Sequence, residues 1–363
     1  MHIEPFRATI DPSVLRDLRL RLAATRWPDA APGEAWSQGT DREWLRDFVD
    51  DWGGQDAVTV ERELNAHPQF IADVDGTPIH FVHLRRGGPA LILTHGWPSA
   101  YLEYLPLIDL LPDYDLVIPS LPGYGFSGRP AACTTRDVAA LWATLMTGLG
   151  YERFGAVGSD FGSAVATYLG LDFPDRVTGI HLSNLDVWPT AEPETDDERA
   201  FLAVAHGWDA TERGYSFIQG TRPQTLSYGL TDSPAGLAAW ILEKWRAWGD
   251  TDGDVDARFG RAFLLTLMTL YWMTGTIGSS IRDYIDNRDA RTGSLPPGVR
   301  VEIPVGFADF GANFVPEGRV PRSWVERGYT VTRFSEMPHG GHFAAREEPE
   351  LLAGEIRAFF ASI

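Results

Sequence analysis

Four short, continuous apolar runs constrain this chain of 363 residues most: Ala90-Leu91-Ile92-Leu93-Thr94, Leu116-Val117-Ile118-Pro119, Phe154-Gly155-Ala156-Val157-Gly158 and Val177-Thr178-Gly179-Ile180-His181-Leu182. A half-exposed strand alternates apolar and polar side chains, so a run without alternation predicts a strand buried on both faces. Loop signals follow each run and helical sequence fills the intervals, the order expected of parallel strands joined by crossover helices. The fold class is therefore α/β.

The flanks fit around that centre. Phe70 to Gly76 and Ile79 to Leu84 predict a hairpin joined by a Gly-Thr-Pro turn. Residues 1–68 are expected to form an N-terminal arm with helices over Pro12 to Ala24 and Asp41 to Trp52. The regular alternation stops near Asp186, and residues 188–290, rich in Trp, Tyr and helical periodicity, predict a helical lid. Strand texture resumes at Val301-Glu302-Ile303-Pro304-Val305, then Tyr329 to Phe334, and a helix from Pro349 to Phe360 follows. The sheet core is thus expected over residues 69–187 and 291–363.

Charge excludes several functions. Lys plus Arg total 31 against 50 Asp plus Glu, a net charge of -19, so nucleic acid and anionic membrane surfaces are disfavoured as partners. Ala262 to Ile281 carries no charged side chain, but its Thr, Ser and Gly content predicts a buried helix followed by a turn. The single cysteine, Cys133, and the lack of a basic-then-apolar opening predict a cytoplasmic protein without internal disulfides. Glu192, Glu194, Asp196, Asp197 and Glu198 are expected in a solvated loop, and Asp250 to Asp256 in a flexible surface turn. The latter alternates carboxylates as a calcium loop does. Its glycine falls fourth instead of sixth, however, and Arg261 stands where a bidentate Glu is needed. No metal and no organic cofactor is expected.

The chemistry concentrates in Val157-Gly158-Ser159-Asp160-Phe161-Gly162. A nucleophile elbow puts its reactive residue on a tight strand-to-helix bend, with small residues two before and two after. Gly158 and Gly162 satisfy this around Asp160. A carboxylate there attacks carbon and yields an alkyl ester, whereas a serine would yield an acyl-enzyme. His95-Gly96-Trp97-Pro98 follows the strand ending at Thr94, where the fold puts an oxyanion loop. The backbone N–H groups of Trp97 and Phe161 are the expected donors. His342, after the final strand, is the expected base, with His339 second.

Together these segments resemble the microsomal-type branch of the epoxide hydrolases, within the α/β-hydrolase fold. The likeness rests on Leu18 to Pro28, His95-Gly96-Trp97-Pro98-Ser99, Pro122-Gly123-Tyr124-Gly125-Phe126-Ser127, the elbow, and Gly340 to Glu350. It implies a mostly parallel central sheet, a helical lid, an N-terminal meander and a small-molecule epoxide as substrate. It also implies that Tyr215 and Tyr284 hydrogen-bond and protonate the epoxide oxygen, and that His95, Gly96 and Pro98 line the substrate site. One position departs. The family's acid after the penultimate strand falls on Asn313, with Asp309, Glu317 and Asp186 as candidate replacements. An amide orients an imidazole but adds no charge; a carboxylate about 4 Å away contributes about 4 kcal/mol at an effective dielectric of about 20. Its loss would slow the reaction on the order of 10³-fold.

Two other readings follow from these residues. A haloalkane-type dehalogenase also uses an aspartate nucleophile, although an indole is typical where this chain has Phe161. A non-hydrolytic scaffold that binds or cyclises an epoxide would account for Asn313. The sequence does not choose between a monomer and a homodimer.

Overall fold

The computed structural model describes residues 1–314 and 318–363, which leaves the replacement candidate Glu317 outside the described residues. Among the described residues eleven strands form: β1 (Ile3–Phe6), β2 (Gln69–Val74), β3 (Thr77–Leu84), β4 (Ala90–Thr94), β5 (Asp115–Pro119), β6 (Phe154–Gly158), β7 (Val177–Leu182), β8 (Trp188–Pro189), β9 (Ser294–Leu295), β10 (Val301–Phe310) and β11 (Tyr329–Met337). Nine make one sheet in the order β1-β2-β3-β5-β4-β6-β7-β10-β11, while β8 and β9 pair separately. From β5 through β11 every pairing in the large sheet is parallel, and β1, β2 and β3 add an antiparallel edge. β4, β5 and β6 are buried at every residue, as their unbroken apolar runs require. The helix Phe161–Asp172 packs against β6 with ten of its residues buried.

Several boundaries differ from expectation, each for a physical reason. The hairpin turns at Asp75-Gly76, both at positive φ, and Thr77 and Pro78 already pair with Val74 and Asp73. Asp-Gly suits a type I′ turn, whose twist matches the flanking strands. The first 68 residues are more than an arm, because Ile3–Phe6 joins the sheet edge, where Pro5 needs no ladder donor on its outer side. A third N-terminal helix, Ala57–Leu64, is capped by the Asp56 carboxylate.

Between β7 and β10 lies a helical insert that includes Asp196–Glu212, Gly214–Thr221, Pro234–Trp248, Arg261–Thr274 and Asp283–Ala290. The uncharged stretch forms the buried helix Arg261–Thr274, stopped by Gly275 in the left-handed conformation. No described helix is long and apolar enough to cross a membrane.

Both acidic segments are more ordered than their composition suggests. Glu198 is fully buried and completes a capping box with Thr195. Burial alone would raise its pKa, but donors from Glu194, Thr195, Ser323 and Arg327 hold it down to about 2. Asp250 accepts a hydrogen bond from Gly340 N at 2.9 Å, Asp254 caps the helix Val255–Phe259, and Asp256 accepts from the Trp44 indole at 2.7 Å. Ser323, Arg327, Trp44 and the Gly340 N–H are distant in the chain from the carboxylates they meet, so local charge counting does not reveal them.

Candidate active site

The sharp turn after β6 presents Asp160 at φ 52°, ψ -131°, a conformation that costs a non-glycine residue about 1–3 kcal/mol. Small residues make the bend feasible. A Cβ on Gly158 would collide with the Gly162 carbonyl, and one on Gly162 with the Thr94 carbonyl. Asn184, just beyond β7, accepts the Asp160 N–H at 2.8 Å and satisfies a buried donor. No sequence pattern marks Asn184; its location past a parallel strand's carboxyl end, where this fold class gathers its chemistry, is the available signal.

The two carboxylate oxygens of Asp160 have different surroundings. Oδ1 accepts from Trp97 N at 2.8 Å and Phe161 N at 2.7 Å. Gly96 allows this approach, since a Cβ there would fall inside the Oδ1 and Cβ atoms of Asp160. Oδ2 lies 3.7 Å from His342 Nε2. The imidazole is 3% exposed and packed among the rings of Trp248, Phe314 and Phe343. Its loop is strapped to the end of the helix Pro234–Trp248 by His342 N donating to Trp248 O at 3.0 Å. Gly341 fits only as glycine, because a Cβ would meet Trp248 O at 2.6 Å and Asp250 N at 2.7 Å.

Opposite the elbow, the Tyr215 ring stacks on Trp97 at 5.6 Å, and the Tyr284 ring meets Trp97 edge-on at the same separation. The two phenol rings are 5.9 Å apart. Burial first, then the neighbouring Tyr215 and Asp160, raises the Tyr284 pKa well above its ordinary value. Asp160, Phe161, Asp186, Tyr215, Tyr284 and Phe314 share the wall of a cavity of about 590 Å³. Such a volume suits a small organic molecule.

Other expected residues lie elsewhere. His95 is fully buried beneath its loop, with Nδ1 on Gly96 O at 3.0 Å and Nε2 accepting from Leu121 N at 3.2 Å. Burial lowers its pKa to about 4, so it braces the loop as a neutral imidazole. Gly96 and Pro98 are buried as well, and none of these three is in the cavity wall. His339 is more than half exposed and pairs with Glu348 at 2.9 Å. Asp309 accepts from Arg319 N at 2.9 Å and lines a separate cleft, with its pKa raised to about 6 by burial. Asn313 is buried in the turn after β10, beside Phe314, whose ring centre is 5.2 Å from that of His342. Among the described residues no cluster of His, Cys, Asp or Glu could hold a metal.

Known proteins resemble this chain over nearly its whole length. Residues 3–104 match the family model for the epoxide hydrolase N terminus, and residues 89–226 that of the α/β-hydrolase fold. Epoxide hydrolase 1 of Sus scrofa is 32% identical over 403 residues, spanning 98% of this chain and 88% of that protein. The structure of the Aspergillus niger epoxide hydrolase superposes with a TM-score of 0.86 at 28% identity, covering 100% of this chain and 97% of that one. Juvenile hormone epoxide hydrolase from Bombyx mori gives 0.86 at 27% identity, covering 99% and 94%. A strained aspartate between two backbone donors and a buried imidazole, on a chain alike from end to end, makes this protein a member of the epoxide hydrolase family.

Proposed function

We propose that the protein hydrolyses a small-molecule epoxide to a vicinal diol through a covalent ester on Asp160. The division of labour between the two Asp160 oxygens carries this reading: Oδ1 is held by two N–H donors, while Oδ2 faces the His342 imidazole. Oδ2 attacks an epoxide carbon and the carbon–oxygen bond breaks. Tyr215 and Tyr284 donate hydrogen bonds to the departing oxygen, and one of them transfers its proton. Water then adds to the Asp160 carboxyl carbon as His342 Nε2 takes a proton. Negative charge collects on Oδ1, between the Trp97 and Phe161 N–H groups. Collapse releases the second alcohol, protonated by the imidazolium. The carboxyl proton left from water restores the phenol.

A single turnover with styrene oxide in heavy-oxygen water tests this sequence. The first diol formed is expected to carry no label, because its new oxygen comes from Asp160, and the label is expected in the Asp160 peptide. Label in the first diol, or full diol formation by Asp160→Asn, would refute the ester. Halide release from simple haloalkanes without diol formation would favour a dehalogenase instead.

A further inference from the structure

Lys244 is the only lysine in the chain, and it lies on the helix Pro234–Trp248 with a relative exposure of 9%. Trp240, Lys244 and Trp248 are spaced i, i+4, i+8 and so share one helix face. That face meets the helix Gly214–Thr221. The Trp240 indole donates to Gln219 Oε1 at 2.8 Å, and the Trp248 ring is 5.2 Å from the Tyr215 ring. Between those contacts, Lys244 Nζ lies 4.8 Å from the Tyr215 ring centre and 5.8 Å from that of Trp248. Glu243 Oε2 is 2.5 Å from the same nitrogen.

Resting on the reading of Tyr215 as an oxygen-activating phenol, we infer that Lys244 is a positioning residue whose ammonium makes Tyr215, rather than Tyr284, the phenol that gives up its proton. A cation over an aromatic face attracts the ring's electrons, and it attracts a phenolate more strongly than a phenol. When the epoxide opens, the proton passes from Tyr215 oxygen to the epoxide oxygen as the Asp160–carbon bond forms. The charge lost from Asp160 reappears on Tyr215, facing the ammonium. Among the described residues, no ammonium or guanidinium lies over the Tyr284 ring as Lys244 lies over that of Tyr215. Burial and the nearby Tyr215, Asp160, Tyr124 and Asp186 favour the neutral form of Tyr284, so it serves as a hydrogen-bond donor. The other charged and titratable groups on the cavity wall with Tyr215 are Asp160, Asp186, His206, Asp209, Arg213, Tyr284, Arg288 and Arg291. They remain unchanged in a Lys244 variant, which isolates the ammonium.

Rapid-quench single turnovers with styrene oxide, following the Asp160 adduct by intact mass across pH, test the inference. Lys244→Met is expected to slow ester formation about tenfold at neutral pH. It should also move the alkaline limb of that step to higher pH, because Tyr215 without the cation is a weaker acid. Ester hydrolysis should be unaffected, and Lys244→Arg should restore both rate and limb. Glu243→Gln, which strengthens the field on Tyr215, should move the limb to lower pH and keeps the test open if Lys244→Met does not fold. Tyr215→Phe separates the two readings. If it slows ester formation while neither Lys244→Met nor Glu243→Gln moves the limb, the role of Lys244 is overturned and that of Tyr215 stands. If Tyr215→Phe forms ester at the wild-type rate, both fall.

Discussion

At the elbow, Asp160 is held by backbone groups and one amide: Trp97 N and Phe161 N on Oδ1, and the Asn184 amide oxygen on its own N–H. Across the cavity, Tyr215 and Tyr284 are held by rings, through Trp97, Trp248 and Phe161. Backbone donors and glycine gaps admit one geometry, so damage there is abrupt. Ring packing tolerates small shifts, so damage to the insert is graded. His342 belongs to both regions, since it faces the elbow while its loop is strapped to the insert at Trp248 O.

That contrast can be broken in four ways. The largest effect is expected from His342→Gln, which leaves ester formation nearly intact and slows ester hydrolysis on the order of 10³-fold. Intact-mass spectra during turnover should then display stoichiometric adduct. Gly96→Ala should reduce diol formation about 10²-fold, because the new methyl drives Asp160 from its two donors. Steady-state kinetics beside a melting curve separate this from unfolding. Tyr284→Phe should slow ester formation alone, by about tenfold, as the loss of one hydrogen bond to developing charge predicts. A drop as large as that of Gly96→Ala would erase the distinction between the regions.

The smallest effect concerns pH. Glu198 has a folded pKa of about 2, below its unfolded value of about 4.3. Its contribution to stability is therefore complete above the unfolded pKa and is lost as pH falls through the folded one. Melting temperatures of wild type and Glu198→Gln should converge as pH falls from about 5 to about 2. Convergence on raising the pH instead would contradict the assignment.

The elbow is legible in the sequence because each of its requirements is local. A strand, two glycines, a carboxylate and a helix stand within Phe154 to Asp172, and the donor loop directly follows β4. His342 is legible by chain order after β11. His95 is not, because a histidine beside a donor loop has the same sequence signature whether it faces the cavity or props the loop from below. Only the Leu121 N–H, 26 residues away, distinguishes the two. Asn184 and Lys244 carry no motif at all.

Sequence alone determined the α/β class, the bend that carries Asp160 and the segment that carries His342, since strand burial and the tight bend depend on neighbouring residues. Tertiary structure alone decided which N–H groups meet Oδ1, where the imidazole stands relative to Oδ2, and that a single ammonium lies over one of two tyrosines. Most of those contacts join residues dozens to nearly two hundred positions apart. Their separations follow from how helices and sheet pack, which no local pattern encodes.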